Sequence, residues 1–316
     1  MRLFANANYD FIGKRRISYA VVAVFLCFFI AAALFFQFTR GGWLAYGVDF
    51  TGGTLVQIRF SEPPSVNDLR DALPGTEITN FGSASEFLIR VPEFEEAGVS
   101  AADRVEGALA QRFGDGNFEV VRTEAVGARV GGELQRRALL AILFSFAATL
   151  IYLAFRFKNW RFGLAAVVAT AHDVVFAVGT TSALQLEVSL PMVAAVLTIL
   201  GYSLNDTIVV FDRVRENLKR TGRREDLASI LNRSINETLP RTILTSVTTL
   251  AAVLALFIFG GENIRGFSLI MMIGIIVGTF SSIYIASPVL LEIEKRWPEK
   301  GKTARPGLTA RAGAAV

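Results

Sequence analysis

The sequence predicts a membrane α-helical bundle with six transmembrane helices, plus an α+β domain inserted between the first two. Three observations lead there. Hydrophobic residues make up 52% of the 316 and mean hydropathy is +0.45, more than a soluble domain carries. The excess is gathered into six blocks long enough to cross ~30 Å of hydrocarbon at ~1.5 Å per residue. Lys and Arg crowd into alternate connections between those blocks, as they do on the cytoplasmic side of a membrane.

The blocks cover residues 17–38, 139–157, 162–184, 190–211, 242–259 and 267–291. Lys14-Arg15-Arg16 precede the first, as in a signal peptide, but its apolar core exceeds the ~7–15 residues of a signal h-region. Gln37-Phe38-Thr39-Arg40 is also a poor cleavage site, so an uncleaved anchor is expected. Arg156, Lys158 and Arg161 lie between spans two and three, and eight Lys and Arg from Arg213 to Arg241 lie between spans four and five. The opposite turns hold one basic residue, Arg265. Both termini are therefore expected in the cytoplasm of a multi-pass inner-membrane protein. The net charge of +4 is mostly this topological signal, and no folded basic surface suggests a nucleic-acid partner. Cys27, alone and inside span one, leaves no disulfide framework.

The expected organisation is residues 1–39 as cytoplasmic N-terminus and first span, and 40–137 as an extracytoplasmic domain. Residues 138–295 form the remaining bundle with a cytoplasmic loop at 213–241, and 296–316 form a disordered cytoplasmic tail rich in Pro, Gly, Lys and Ala.

Within the inserted domain, residues 54–60 alternate at period two and read as a strand. Ser65 can cap a helix with Val66, Leu69, Ala72 and Leu73 on one face, stopped by Pro74-Gly75. Residues 77–81 and 87–91 read as a strand pair across Gly82-Ser83. Ser100 caps a second helix, and 118–126 is a last strand. The order βαββαβ predicts a ferredoxin-like sandwich. It contains no acid pair, nucleophile–base set or phosphate loop, which favours a moving or docking domain over an enzyme. Gly47, Asp49, Gly52 and Gly53 at its entry, and the stretch from Gly127 to Gly132 at its exit, mark the joints with the membrane. Glycine tolerates backbone angles closed to other residues, so these are either hinges or ordinary tight turns.

Polar groups inside the spans carry the functional signal. An ionised carboxylate at a helix centre opposes insertion by ~2.5–3.5 kcal/mol, so a chain that keeps one usually points it at a partner, a watery cavity or a proton path. In span four, Thr198, Tyr202, Asn205 and Asp206 recur at helical spacing and predict one polar stripe facing other helices. Asp206 is a candidate for proton transfer or for fixing helix packing. Arg241, after Pro240 at the start of span five, either snorkels to the interface or meets Asp206 at similar depth. Thr242, Thr245, Ser246 and Thr249 continue a hydroxyl stripe along span five. His172-Asp173 in span three is a second candidate, for proton transfer or for helix packing, and one histidine without companions is weak evidence for a metal. Asp212 reads as interfacial, paired with water or headgroups. Gly274, Gly278, Ser281 and Ser282 read as a small-residue packing face of span six.

Taken together, Gly47-Val48-Asp49-Phe50-Thr51-Gly52-Gly53, His172-Asp173-Val174 and the stretches from Gly201 to Asn217, Thr238 to Ser246 and Gly278 to Tyr284 closely resemble the SecF subunits of the SecD/SecF protein-export family. The likeness runs in family order from about residue 10 to 295. It implies one half of an exporter of the resistance–nodulation–division type, completed by SecD. The resemblance also implies association with the SecYEG channel and, in many bacteria, YajC, and use of proton flow to promote movement of preproteins. By motif, Asp206 and Arg241 are the positions that the family links to proton transport. No cofactor is implied. A stand-alone small-molecule or lipid exporter and a structural scaffold are the competing classes; the first usually holds both six-span halves in one chain.

Overall fold

The computed structural model describes residues 7–91, 100–157, 159–221 and 225–297. Among them six helices are long and apolar enough to cross a membrane, and each predicted block falls in one, the third running a single residue past its end at Ala183. These are α1 (Arg15–Arg40), α5 (Ala128–Phe157), α6 (Trp160–Ala183), α7 (Leu190–Thr221), α8 (Leu227–Phe259) and a final rod from α9 (Glu262–Ser281) through a π-turn (Ser282–Ala286) into α10 (Ser287–Arg296). The tail expected from residue 296 onward lies outside the described residues beyond Trp297.

Helices α6, α7 and α9 form the centre. Their small residues let backbones approach: a Cβ on Gly274 would strike Ile199, and one on Gly278 would sit 3.1 Å from the Ser203 Cβ. In lipid, where apolar burial between helices gains little, such close contact is the main source of association. Helices α1 and α5 bury little of themselves and hold Phe25, Phe28, Phe144 and Phe155 outward, as lipid-facing helices do.

Three boundaries differ from the sequence reading. Span two begins at Ala128 rather than 139, so Gly131 and Gly132 lie in the first turns of a helix and not in a linker. The loop expected at 213–241 is mostly helix, because α7 runs to Thr221 and α8 starts at Leu227. Buried Val214, Ile230, Leu231 and Ile235 zip these extensions together, and Asn217 donates to Ser234 Oγ at 3.0 Å and to Glu237 at 2.7 Å. Pro240 therefore sits inside α8 rather than opening it; it removes the N–H that the Asn236 carbonyl would accept. Asp212 is paired with Arg156 and, at 3.5 Å, with Arg215, instead of meeting only water or headgroups.

Between α1 and α5 the chain forms β1 (Ala45–Tyr46), α2 (Val48–Thr51), β2 (Gly53–Phe60), α3 (Val66–Ala72), β3 (Glu77–Asn80), β4 (Glu86–Val91), α4 (Ala101–Phe113) and β5 (Phe118–Val126). Four strands make an antiparallel sheet in the order β3-β4-β2-β5. Ser65 accepts the Asp68 N–H at 3.1 Å, and Ser100 and Asp103 form a capping box, so both helices start where their side chains satisfy orphan amides. Val56, Ile58 and Ile89 of the sheet pack with Leu69 and Leu109 of the helices.

The domain is bonded to the bundle rather than tethered by a free linker. Strand β1 pairs in parallel with β6 (Glu187–Val188), the connection between α6 and α7. Arg90 of β4 donates to the Tyr46 carbonyl at 2.9 Å and to Glu187 at 3.0 Å.

Candidate functional site

Two carboxylates are shut inside the helical bundle. Asp206 is 7% exposed and Asp173 0%. Each is held by hydroxyls from neighbouring helices. Thr242 on α8 donates to Asp206 Oδ1 at 2.7 Å, and Ser282 on the π-turn donates to Oδ2 at 2.8 Å. Ser203 on α7 and Ser281 at the end of α9 both donate to Asp173 Oδ2, the latter at 2.7 Å. On the remaining oxygen, His172 Nδ1 lies 2.9 Å from Asp173 Oδ1. Consecutive serines thus serve the two acids, Ser281 for Asp173 and Ser282 for Asp206. On α7, Ser203 and Asp206 are three residues apart and share one face.

The local fold explains how two adjacent serines reach different acids. The helical ladder slips into a π-turn at Ser282, where one extra residue per turn re-aims successive side chains. Pro288 follows, with no N–H to give the Tyr284 carbonyl and a ring that crowds it. Across from this turn, Gly278 leaves room for Ser203 to approach. A third polar layer joins Tyr202 to Ser246 at 3.0 Å, and Ser246 to Thr279 at 2.7 Å.

His172 and Asp173 do act on one another, although adjacent helical positions diverge by ~100°, because the imidazole folds back beside its neighbour. The ring also packs on Phe176, centroids 4.4 Å apart. Asn205 is not brought to the cluster. It lies with Ala194, Thr198 and Gly201 on an exposed stripe of α7, so the single polar stripe expected from spacing splits into a buried face and an open one. Arg241 is exposed, and among the described residues it makes no ion pair with Asp206; its charge acts on that acid from beyond contact distance. Spacing does not mark Ser203, Ser281, Ser282 and Thr242 as partners of the acids. A hydroxyl pair at 281–282 within an apolar helix was the available signal, but spacing alone reads it as small-residue packing.

Asp206 and Asp173 have every carboxyl oxygen met by a hydroxyl or an imidazole nitrogen. Hydroxyls both donate and accept and can rotate, so these partners are not committed to one direction of hydrogen bonding. No cluster of His, Cys, Asp and Glu suited to a metal ion occurs among the described residues.

The domain junction is built around the entry motif. Gly47 donates its N–H to the Val188 carbonyl at 2.8 Å, and Asp49 Oδ2 accepts the Leu190 N–H at 2.8 Å, capping the helix that carries Asp206. Gly52 and Gly53 take φ of 74° and 113°, which favour glycine. Gly131 of α5 rests directly on the Phe50 and Gly52 backbone, where a Cβ would come within 2.9 Å.

Residues 105–296 match the family described as protein export membrane protein SecD/SecF, C-terminal, and residues 43–64 match the SecD/SecF GG motif. The chain belongs to the SecD/SecF family. It is 46% identical to the protein translocase subunit SecF of Gemmatimonas aurantiaca, covering 100% of this chain and 96% of that one. It is 45% identical to the Vibrio alginolyticus subunit SecF over 86% of this chain and 87% of the relative. The crystal structure of SecDF from Thermus thermophilus, a translocon-associated membrane protein, superposes with TM-score 0.79 at 38% identity over 92% of this chain. This SecD/SecF chain spans 39% of that longer SecDF chain. Gly52-Gly53 lie within the GG motif, and both buried acids lie within the C-terminal match.

Proposed function

We propose that this chain works with a SecD-type subunit as a proton-driven accessory of the Sec translocase. In this reading the pair associates with the SecYEG channel, and with YajC where it is present. It uses the proton motive force to promote preprotein movement across the cytoplasmic membrane, without acting as an enzyme. The observation that carries this reading is the pair of carboxylates, Asp206 and Asp173, sealed in the bundle and held by hydroxyls and, for Asp173, also by the His172 imidazole. Ionisable groups kept at such cost inside a membrane mark ion pathways. Asp206 is the proton-carrying group, His172 and Asp173 form a second step, and Arg241 biases Asp206 electrostatically.

A SecD-type partner is supported by the length of the SecDF relative and by the open α7 stripe of Ala194, Thr198, Gly201 and Asn205, which is small and polar where lipid would favour large apolar side chains. The domain between α1 and α5 is assigned to the extracytoplasmic side, with both termini cytoplasmic, from the distribution of Lys and Arg. Its βαββαβ order and sheet order support a ferredoxin-like fold. The Gly47–Gly53 segment with Asp49 is its junction, through which domain movement and the buried acids communicate.

The test is gradient-driven preprotein export by vesicles reconstituted with the Asp206→Asn complex. Asn keeps the size and most hydrogen bonds but not the proton. Loss of the gradient-dependent component with normal complex levels is expected; near-normal export would reduce Asp206 to a packing role.

A further inference from the structure

Apart from the buried acids, the structure contains a cavity of about 500 Å³ under the domain junction, between α5, α6 and α7. Its size lies within the ~300–1,000 Å³ of small-molecule sites. Leu139 and Ile142 of α5 face Met192, Val193 and Val196 of α7 across it, and Tyr46 and Phe50 form its roof. Its polar lining includes Gln135 and Arg136, just before the apolar run of α5, and Thr181 of α6, whose hydroxyl donates to the Ala177 carbonyl at 2.9 Å. Arg136 is exposed and, among the described residues, makes no ion pair, whereas its neighbour Arg137 is neutralised by Glu133 at 2.5 Å.

This layout is a mainly apolar slot with one uncompensated cation at the level where a membrane helix leaves the hydrocarbon. We propose that the cavity binds a single phospholipid, its phosphate on Arg136 and Gln135 and one acyl chain running between α5 and α7. Guanidinium is matched to phosphate oxygens in shape and charge. The occupant is lipid rather than the partner subunit because the two lie on different faces of α7. At ~100° per residue, Val193 and Val196 point away from the open stripe of Ala194, Thr198, Gly201 and Asn205. Helix α5 touches α7 only lightly, so an acyl chain would complete packing that the protein leaves open, immediately beneath Phe50 of the entry motif.

Two measurements on the full chain test the assignment. In native mass spectrometry of protein stripped of lipid and titrated with phosphatidylglycerol, one retained lipid is expected. Arg136→Gln should lower its retention about fivefold, the weight of one basic residue at a lipid surface, and Arg136→Lys should restore most of it. Val193→Trp, which fills the slot and leaves Arg136 in place, should abolish the adduct, and diacylglycerol, lacking phosphate, should not form one. In native membranes, a photo-reactive residue at position 142 should yield a lipid-sized adduct. Retention unchanged in both Arg136→Gln and Val193→Trp overturns the proposal, as does a protein-sized adduct at 142. Should Val193→Trp fail to fold, Arg136→Gln on the exposed face of α5 decides alone.

Discussion

Asp49 accepts the backbone N–H of Leu190 at 2.8 Å, so the entry motif of the domain between α1 and α5 caps the helix that places Asp206 in the bundle. Displacement of the domain therefore acts on the end of α7 directly, without an intervening flexible linker. Helix caps of this kind are worth ~1 kcal/mol. Asp49→Ala should lower stability by about that much and speed hydrogen exchange at the first turns of α7, while Asp49→Asn keeps an acceptor and should stay close to the parent. Equal exchange in both variants would mean that the contact does not tie the two parts together.

The hydroxyls around Asp206 give a second prediction. Removing the donor of Thr242 by Thr242→Val, or that of Ser282 by Ser282→Ala, leaves a buried carboxyl oxygen unmet, at a cost of ~1–3 kcal/mol each. Thr242→Ser retains the hydroxyl and should restore stability. Thermal unfolding of the purified complex reads the effect; indistinguishable midpoints for Val and Ser would remove Thr242 from the site.

Gly131 and Gly132 provide a contrast within one helix. A methyl group at Gly131 meets the backbone of Phe50 and Gly52, which cannot swing aside, whereas one at Gly132 meets nothing within 4 Å. Gly131→Ala should destabilise the junction by ~1–3 kcal/mol. Gly132→Ala, in a helix that glycine weakens, should be neutral or stabilising by up to ~1 kcal/mol. Limited proteolysis between the domain and α5 would reveal the difference, and equal resistance would contradict the close approach at Gly131.

Arg241 makes no ion pair with Asp206, so its influence rests on charge at a distance rather than on a fixed geometry. Arg241→Lys should therefore retain gradient-driven export, and Arg241→Met should lose a substantial part of it without loss of assembly. Full export by the Met variant would leave Arg241 as an interfacial anchor.

The labelling of introduced cysteines tests topology. Reagents added outside the cell should modify positions in the domain between β2 and β5 and spare Lys219, at the far end of α7. Outer modification of Lys219→Cys would invert the assignment.

By itself the sequence determined the six spans, the βαββαβ order from β2 to β5 and the acids Asp173 and Asp206, but not β1 or α2 ahead of β2. Those features are one-dimensional: hydropathy sums over ~20 residues, strands alternate, and a carboxylate in an apolar run stands out wherever it points. Only the tertiary structure decided which neighbours those acids have. Spacing placed Asn205 beside Asp206 on one stripe, yet packing turns Asp206 inward and leaves Asn205 outside. It also marked Ser281 and Ser282 as small residues, and a π-turn aims them at two different acids. The helical extensions of α7 and α8 and the capping of α7 by Asp49 were equally hidden, because each is settled by a contact between segments far apart in the chain. Local sequence fixes what a residue can do, and the partner that satisfies it is chosen by whichever helix the close approach of small residues brings alongside.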